Sequence, residues 1–140
     1  QNLQQIGITC NVRPLEVTVL QDLMEKHRYQ AAFSGWGTGT DPDTSENLWV
    51  TDQGRNYGNY SNPEVDKLFA AGRKEFDVDK RAAIYGKIQE TLYQDQPYTW
   101  MFFRNSYYGF NKELRGYNFS PRGPYHYGPG FSSLWKPADN

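Results

Sequence analysis

The chain has 140 residues, enough for one domain with a hydrophobic core. Its formal net charge of −1 argues against a nucleic-acid partner, because phosphate binding needs an excess of lysine and arginine. No apolar run approaches the roughly 20 residues that cross a bilayer, and residues 1–5 lack the pattern of a signal peptide. Because the chain does not begin with Met, we expect a processed product or a piece of a longer protein.

The first 36 residues are predicted to form a strand, a helix and a second strand. Residues 6–14 alternate between apolar and polar side chains, which is typical of a half-buried strand. Residues 30–36 are short, apolar and end at a glycine and a tryptophan, as a strand covered on both faces does. Between them, one helical stripe contains Val17, Leu20, Leu23, Met24 and His27. This order favours a βαβ unit with a parallel pair of strands.

Three helices are predicted in the middle of the chain, each with a capping residue. Asp41-Pro42 begins a short helix that ends near Val50. Asn62-Pro63 begins a second, whose apolar stripe is Val65, Leu68, Phe69, Gly72 and Phe76. Asp77 or Asp79 caps a third, closed by Pro97, whose buried side carries Ile84, Tyr85, Ile88 and Leu92. The short turn between the last two requires them to pack against each other.

The end of the chain changes in character twice. Residues 98–110 again resemble a strand, and from Gly116 onward glycine, proline and aromatic residues dominate without a period. Aromatic residues make up 16% of the chain, 11 of them tyrosines, which is consistent with burial or with a surface that contacts another domain or a ligand. We therefore predict an α/β fragment over residues 1–110 and an extended segment over residues 111–140 that packs against a partner or is partly loose.

Known catalytic and metal-binding patterns are missing. His27 and His126 have no partner at metal-ligand spacing, and Cys10 lies in a predicted strand, where a thiol usually acts as a small hydrophobe. A calcium loop would need a twelve-residue pattern with a central glycine that is missing around Asp41, Asp43 and Glu46. The sequence predicts no enzyme, no metal and no cofactor.

A glycine-rich run, residues 35–39, follows the second predicted strand. Its spacing is G-x-G-x-G, and Thr40 stands where a dinucleotide-binding fingerprint would place its last glycine. A nucleotide loop is therefore not predicted here.

Three stretches in register resemble a known family. They are residues 31–37 leading to Asp41-Pro42-Asp43, residues 60–68 (Tyr-Ser-Asn-Pro-Glu-Val-Asp-Lys-Leu), and residues 79–85 running on to 94–98. Together they resemble extracellular solute-binding protein family 5, the oligopeptide- and dipeptide-binding proteins of ABC importers, in its C-terminal part. The resemblance spans residues 3–116.

The resemblance implies a larger protein with two lobes that close on a ligand. This chain would be much of one lobe of a type II periplasmic-binding-protein-like fold, a mixed sheet with flanking helices, with residues 111–140 returning toward the other lobe. The protein would capture peptides between the lobes and deliver them to an ABC permease. It would be periplasmic or extracellular, either secreted or anchored as a lipoprotein.

The expected ligand surface is the end of the second strand, where ligands bind in open α/β sheets. Its residues are Gly35, Trp36, Gly37, Thr38, Gly39 and Asp41. Peptide-binding relatives carry an aspartate three residues after this tryptophan, which pairs with the ligand ammonium group, whereas this chain has Gly39. Asp41 either replaces that aspartate or only caps its helix. An oligosaccharide or another small solute is therefore an alternative ligand, and a stand-alone protein-interaction module is an alternative function.

Overall fold

The structure, a computed structural model, describes residues 2–37, 39–105, 107–117 and 130–138. The α-helices in these ranges are α1 (Asn2–Gln5), α2 (Val17–Glu25), α3 (Glu46–Trp49), α4 (Pro63–Gly72) and α5 (Val78–Asp95). Two 3₁₀ helices cover Pro42–Ser45 and Gly130–Ser133. None of the helices in the described ranges is both long and apolar enough to span a membrane.

The pair α4 and α5 forms the centre of the core, as their caps and stripes predicted. The Asn62 side chain accepts the backbone N–H of Glu64 at 3.0 Å, and Asp77, rather than Asp79, accepts that of Lys80 at 3.0 Å. α5 ends where Gln96 takes up a left-handed conformation, one residue before Pro97. The buried residues of the cluster are Leu48, Trp49, Val65, Phe69, Tyr85, Ile88 and Leu92.

Two members of the predicted helical stripes lie outside their helices. Phe76 follows the end of α4 and is 92% exposed, because the chain is already turning toward α5. His27 follows the end of α2 in a left-handed conformation, with φ of 50°, and is exposed. Its Nδ1 lies 3.0 Å from the carbonyl oxygen of Tyr57, so the side chain contacts the loop that carries Tyr57 rather than the core.

The predicted strands are not strands in the structure. Residues 8–14, 31–37 and 101–105 carry no strand pairing, and the described residues contain only an isolated antiparallel bridge between Arg115 and Trp135. Apolar side chains in the predicted strands are exposed instead, with Ile6 at 71%, Val12 at 83% and Phe33 at 70%. Alternation predicts which residues can pair, but a strand also needs a neighbour to accept and donate its hydrogen bonds. The predicted βαβ unit is therefore not observed within the described residues.

The chain divides into two compact units, Gln1–Trp100 and Met101–Asn140. The first contains α2 to α5 and the core. In the second, Arg115 and Trp135 exchange backbone hydrogen bonds of 2.9 and 3.1 Å, and Phe110 packs edge-on against Tyr117 with centroids 4.2 Å apart. Most of the predicted loose part of the tail, residues 118–129, lies outside the described residues.

Candidate functional site

The predicted ligand-binding segment is exposed on both sides of Trp36 and forms neither helix nor strand there. Gly35 and Gly37 are exposed, and a Cβ atom added to either would meet nothing within 4 Å. Within the described residues, no hydrogen bond involves the backbone of either glycine. Thr38, the fourth residue of the predicted site, lies outside the described residues. The segment therefore offers bare backbone on both sides of Trp36.

Trp36 is held against the body of the first unit. It is half-buried and packs against the core cluster. Its ring lies 5.4 Å from the ring of Tyr57 at 45°, and the guanidinium carbon of Arg55 lies 5.8 Å from its ring centroid. An aromatic pair flanked by a cation forms a firm apolar surface with a positive edge.

Tyr57 is fixed from several directions, which makes that surface rigid. It is only 6% exposed, and its hydroxyl donates to Glu25 at 3.3 Å. Its carbonyl oxygen accepts a hydrogen bond of 2.5 Å from the hydroxyl of Tyr29. Burial, followed by the nearby Glu25 carboxylate, raises the pKa of Tyr57, so this hydroxyl is a neutral donor at physiological pH.

The loop that carries Arg55 and Tyr57 is organised by the buried side chain of Asn56. Its Nδ2 donates to the carbonyl oxygens of Val50 at 3.1 Å and Tyr60 at 2.6 Å. Its Oδ1 accepts the backbone N–H of Tyr60 at 2.9 Å. Because these bonds replace water for a group that is only 6% exposed, they hold residues 50–60 in one conformation.

At the far end of the segment, Gly39 and Asp41 are built into a turn. The backbone N–H of Gly39 donates to Thr44 Oγ1 at 3.1 Å, and a Cβ atom at Gly39 would lie 2.7 Å from that side chain. Asp41 Oδ1 accepts the backbone N–H of Asp43 at 2.9 Å and the guanidinium of Arg81 at 2.7 Å. The hydrogen bond from Arg81, and then that from Asp43, lowers the pKa of Asp41. Asp41 is thus an ionised cap whose charge is already paired.

Two arginines neutralise the acidic residues near this turn. Arg73 pairs with Glu46 and, at 3.2 Å, with Asp43. Arg81 also donates to the carbonyl oxygen of Gly72 at 3.1 Å and lies over the ring of Tyr85 at 4.7 Å. No group of three or more potential metal ligands occurs in the part of the chain that the structure describes. The arrangement is a structural ion-pair network rather than a cation site.

A separate groove of about 840 Å³ runs along α5. Trp49, Tyr85, Ile88, Tyr93 and Trp100 are among the residues that line it, and none of the predicted site residues does. The first unit thus contains this α5 groove and, apart from it, the surface formed by Trp36, Tyr57, Arg55 and the backbone of Gly35 and Gly37, which we call the Trp36 surface.

Sequence reasoning found the segment but missed the residues that support it. Arg55 and Tyr57 lie about 20 residues beyond Trp36, between the first and second predicted helices. Arg81, which pairs with Asp41 across 40 positions, showed no sign in the helical pattern. The buried Asn56 between two turn glycines was the one available signal, since a loop asparagine often bonds to backbone nearby.

Both the fold and the sequence relate this chain to the substrate-binding proteins of ABC transporters, and the predicted resemblance is confirmed. The crystal structure of the substrate-binding protein CtaP of Listeria monocytogenes matches with a TM-score of 0.59 and 31% identity, over 66% of this chain and 20% of that chain. Oligopeptide-binding protein AppA of Bacillus subtilis is 28% identical over 87% of this chain. Probable D,D-dipeptide-binding periplasmic protein DdpA of Escherichia coli is 28% identical over 86% of it.

This chain spans about a quarter of the length of its curated relatives, 23% of AppA and 24% of DdpA. No family model matches it. The relatives are binding proteins of transport systems, so the prediction that the chain is not an enzyme is confirmed. The name of DdpA places that protein in the periplasm, as does that of the oligopeptide-binding protein OppA of Haemophilus influenzae.

Proposed function

We propose that this chain is part of a longer substrate-binding protein that captures peptides in a cleft between two lobes and delivers them to an ABC permease. The observation that carries the proposal is the Trp36 surface, a fixed aromatic pair bordered by the bare backbone of Gly35 and Gly37. Trp36 lies in one of the stretches that resemble peptide-binding relatives, and the names of AppA, DdpA and OppA all refer to peptides.

The physical basis is recognition through the backbone. A receptor for peptides of varied sequence must bind groups that all peptides share, namely main-chain N–H and C=O. The backbone groups of Gly35 and Gly37, which make no hydrogen bond within the described residues, can pair with such a ligand as with an added strand. The glycines let the ligand backbone approach closely, and Trp36 provides an apolar wall beside it.

Asp41 plays a secondary part in this proposal. Its Oδ1 is engaged by Asp43 and Arg81, whereas no hydrogen bond among the described residues involves its Oδ2, and the side chain is 52% exposed. The free oxygen can accept a hydrogen bond from a ligand, but the paired arginine weakens its attraction for an ammonium group. Gly39 leaves the position of the missing aspartate without a charge.

The rest of the fold follows from the same proposal. Residues 6–14, 30–36 and 98–110 would become strands of a mixed sheet by pairing with parts of the longer protein, which would cover the exposed Ile6, Val12 and Phe33. Residues 111–140 would return toward the other lobe. The protein would work in the periplasm or outside the cell, secreted or held by a lipid anchor.

The test is a melting curve of the complete protein with a library of di- to pentapeptides and, in parallel, with a panel of oligosaccharides. A ligand that binds only the folded protein raises the melting temperature, by an amount that grows with its concentration. We expect a rise with peptides and none with oligosaccharides. A rise with oligosaccharides alone would contradict peptide capture while keeping the role in transport.

A further inference from the structure

Arg55 is the charged side chain that lies over the ring of Trp36. Its guanidinium carbon lies 5.8 Å from the Trp36 ring, and no ion pair within the described residues involves it. Glu25 also has no ion pair within the described residues, but its Oε1 accepts hydrogen bonds from the neutral side chains of Gln21 at 3.0 Å and Tyr57 at 3.3 Å. The charge of Arg55 is therefore available at the exposed edge of the surface.

The carboxylates on the other side of the segment are not available in the same way. Asp41 is paired with Arg81, and Asp43 with Arg73. Gly39 has no side chain at all. Arg55 is thus the charged group that contacts Trp36, whereas the Glu25 carboxylate contacts the hydroxyl of the buried Tyr57.

We infer that Arg55, stacked on Trp36, receives an anionic group of the ligand, for a peptide its terminal carboxylate or an acidic side chain. This inference rests on the proposed function. A guanidinium presents a planar fork of donors that matches the two oxygens of a carboxylate. Stacking on an aromatic face holds that plane in place and leaves its N–H edge free to bind.

The fold holds the backbone of Arg55 in place. Its backbone N–H donates to the carbonyl oxygen of Asn47 at 3.2 Å. The following residue is the buried Asn56, which ties both ends of the loop together through Val50 and Tyr60. A side chain fixed at its base loses less freedom when it binds, which increases the affinity that one contact can provide.

The experiment compares matched ligands on the complete protein by calorimetric titration. Peptides that raise the melting temperature are tested as the free acid and as the C-terminal amide, against the wild type, Arg55→Gln and Arg55→Lys. Arg13→Gln, which removes an exposed arginine outside this surface, is the control for net charge.

We expect the wild type to bind the acid about tenfold or more tightly than the amide, as loss of a charge-assisted pair commonly causes. Arg55→Gln should bind both forms alike, Arg55→Lys should keep part of the preference, and Arg13→Gln should keep all of it. If peptides bind but the acid-to-amide ratio is the same in the wild type and Arg55→Gln, the role of Arg55 is wrong and peptide capture stands. If no peptide binds the wild type, both the proposed function and this inference fail.

Discussion

At the scale of single residues, Tyr60 and Asn62 both form hydrogen bonds with Asp95, outside the candidate site. The Tyr60 hydroxyl and Asn62 Nδ2 donate to Asp95 Oδ2 at 2.6 and 2.8 Å. These bonds join the end of the loop of residues 50–60 to the end of α5. Burial, and then the bond to Asp95, raises the pKa of Tyr60 to about 12. The same bond from Tyr60, followed by that from Asn62, lowers the pKa of Asp95.

The raised pKa of Tyr60 predicts a loss of stability at alkaline pH. A tyrosine whose pKa is higher in the folded protein stabilises it fully below the ordinary value of 10.0, and this contribution is lost as pH rises toward about 12. We expect Tyr60→Phe to be less stable than the wild type at neutral pH and the difference to shrink across that interval. The measurement is the free energy of unfolding of both proteins against pH.

Tyr93→Phe is the control for that experiment. Tyr93 is 67% exposed, and its hydroxyl makes no hydrogen bond within the described residues. Its difference from the wild type should not depend on pH in the same way. A difference between Tyr60→Phe and the wild type that stays constant through the alkaline range would show that Tyr60 does not carry the effect.

The residues of the candidate site were only partly predictable. The resemblance located Trp36 and the glycines around it, because that segment is continuous in the sequence. Its partners Arg55 and Tyr57 come from a different loop, and their approach depends on how Asn56 folds that loop. The pairing of Asp41 with Arg81 was equally out of reach, since it requires the packing of α5 to be known.

At the scale of elements, the helices were well predicted and the strands were not. A helix makes its hydrogen bonds within itself, so caps such as Asn62 and Asp77 and a stripe of apolar residues are sufficient signals. A strand makes its hydrogen bonds with another segment. Residues 6–14 have the right alternation but no neighbour among the described residues, and the pattern alone cannot supply one.

Two glycines in the α4–α5 pair should respond to substitution by alanine in opposite ways: one substitution should lower the stability of the pair and the other should raise it. Gly72 is buried against Tyr85, and a Cβ atom there would lie 2.8 Å from the ring. The Tyr85 hydroxyl also donates to Asp43 at 2.9 Å, which limits how far the ring can move. We expect Gly72→Ala to destabilise the α4–α5 pair by about 1–3 kcal/mol, as overpacking does.

Gly86→Ala is the matched variant in α5. A Cβ atom at Gly86 meets nothing within 4 Å, so the change should stabilise the helix by about 0.5–1 kcal/mol through helix propensity alone. Amide hydrogen exchange of α4 and α5 in the complete protein measures both effects as changes in local opening. Equal effects of the two alanines would mean that the contact between Gly72 and Tyr85 is not close.

At the scale of the whole molecule, the part of the chain that the structure describes has a helical core but not the sheet that the sequence pattern indicates. Large apolar side chains such as Ile6, Phe33 and Phe103 are exposed, which is unusual for a complete domain. The relatives are about four times as long, since this chain spans 23% of AppA and 24% of DdpA. We therefore expect the ligand affinity to belong to the complete protein, because a cleft needs both walls to exclude water from its ligand.

We propose that the Trp36 surface, rather than the α5 groove, binds the ligand. The most direct measurement is the affinity of the complete protein for a peptide that raises its melting temperature, in the wild type, Trp36→Ala and Tyr93→Ala. Trp36→Ala should weaken binding by about tenfold or more, as the loss of a buried aromatic contact does, and Tyr93→Ala, in the groove, should leave it unchanged. Unchanged affinity in Trp36→Ala together with weak binding in Tyr93→Ala would place the ligand along α5 instead and exclude the Trp36 surface as its binding site.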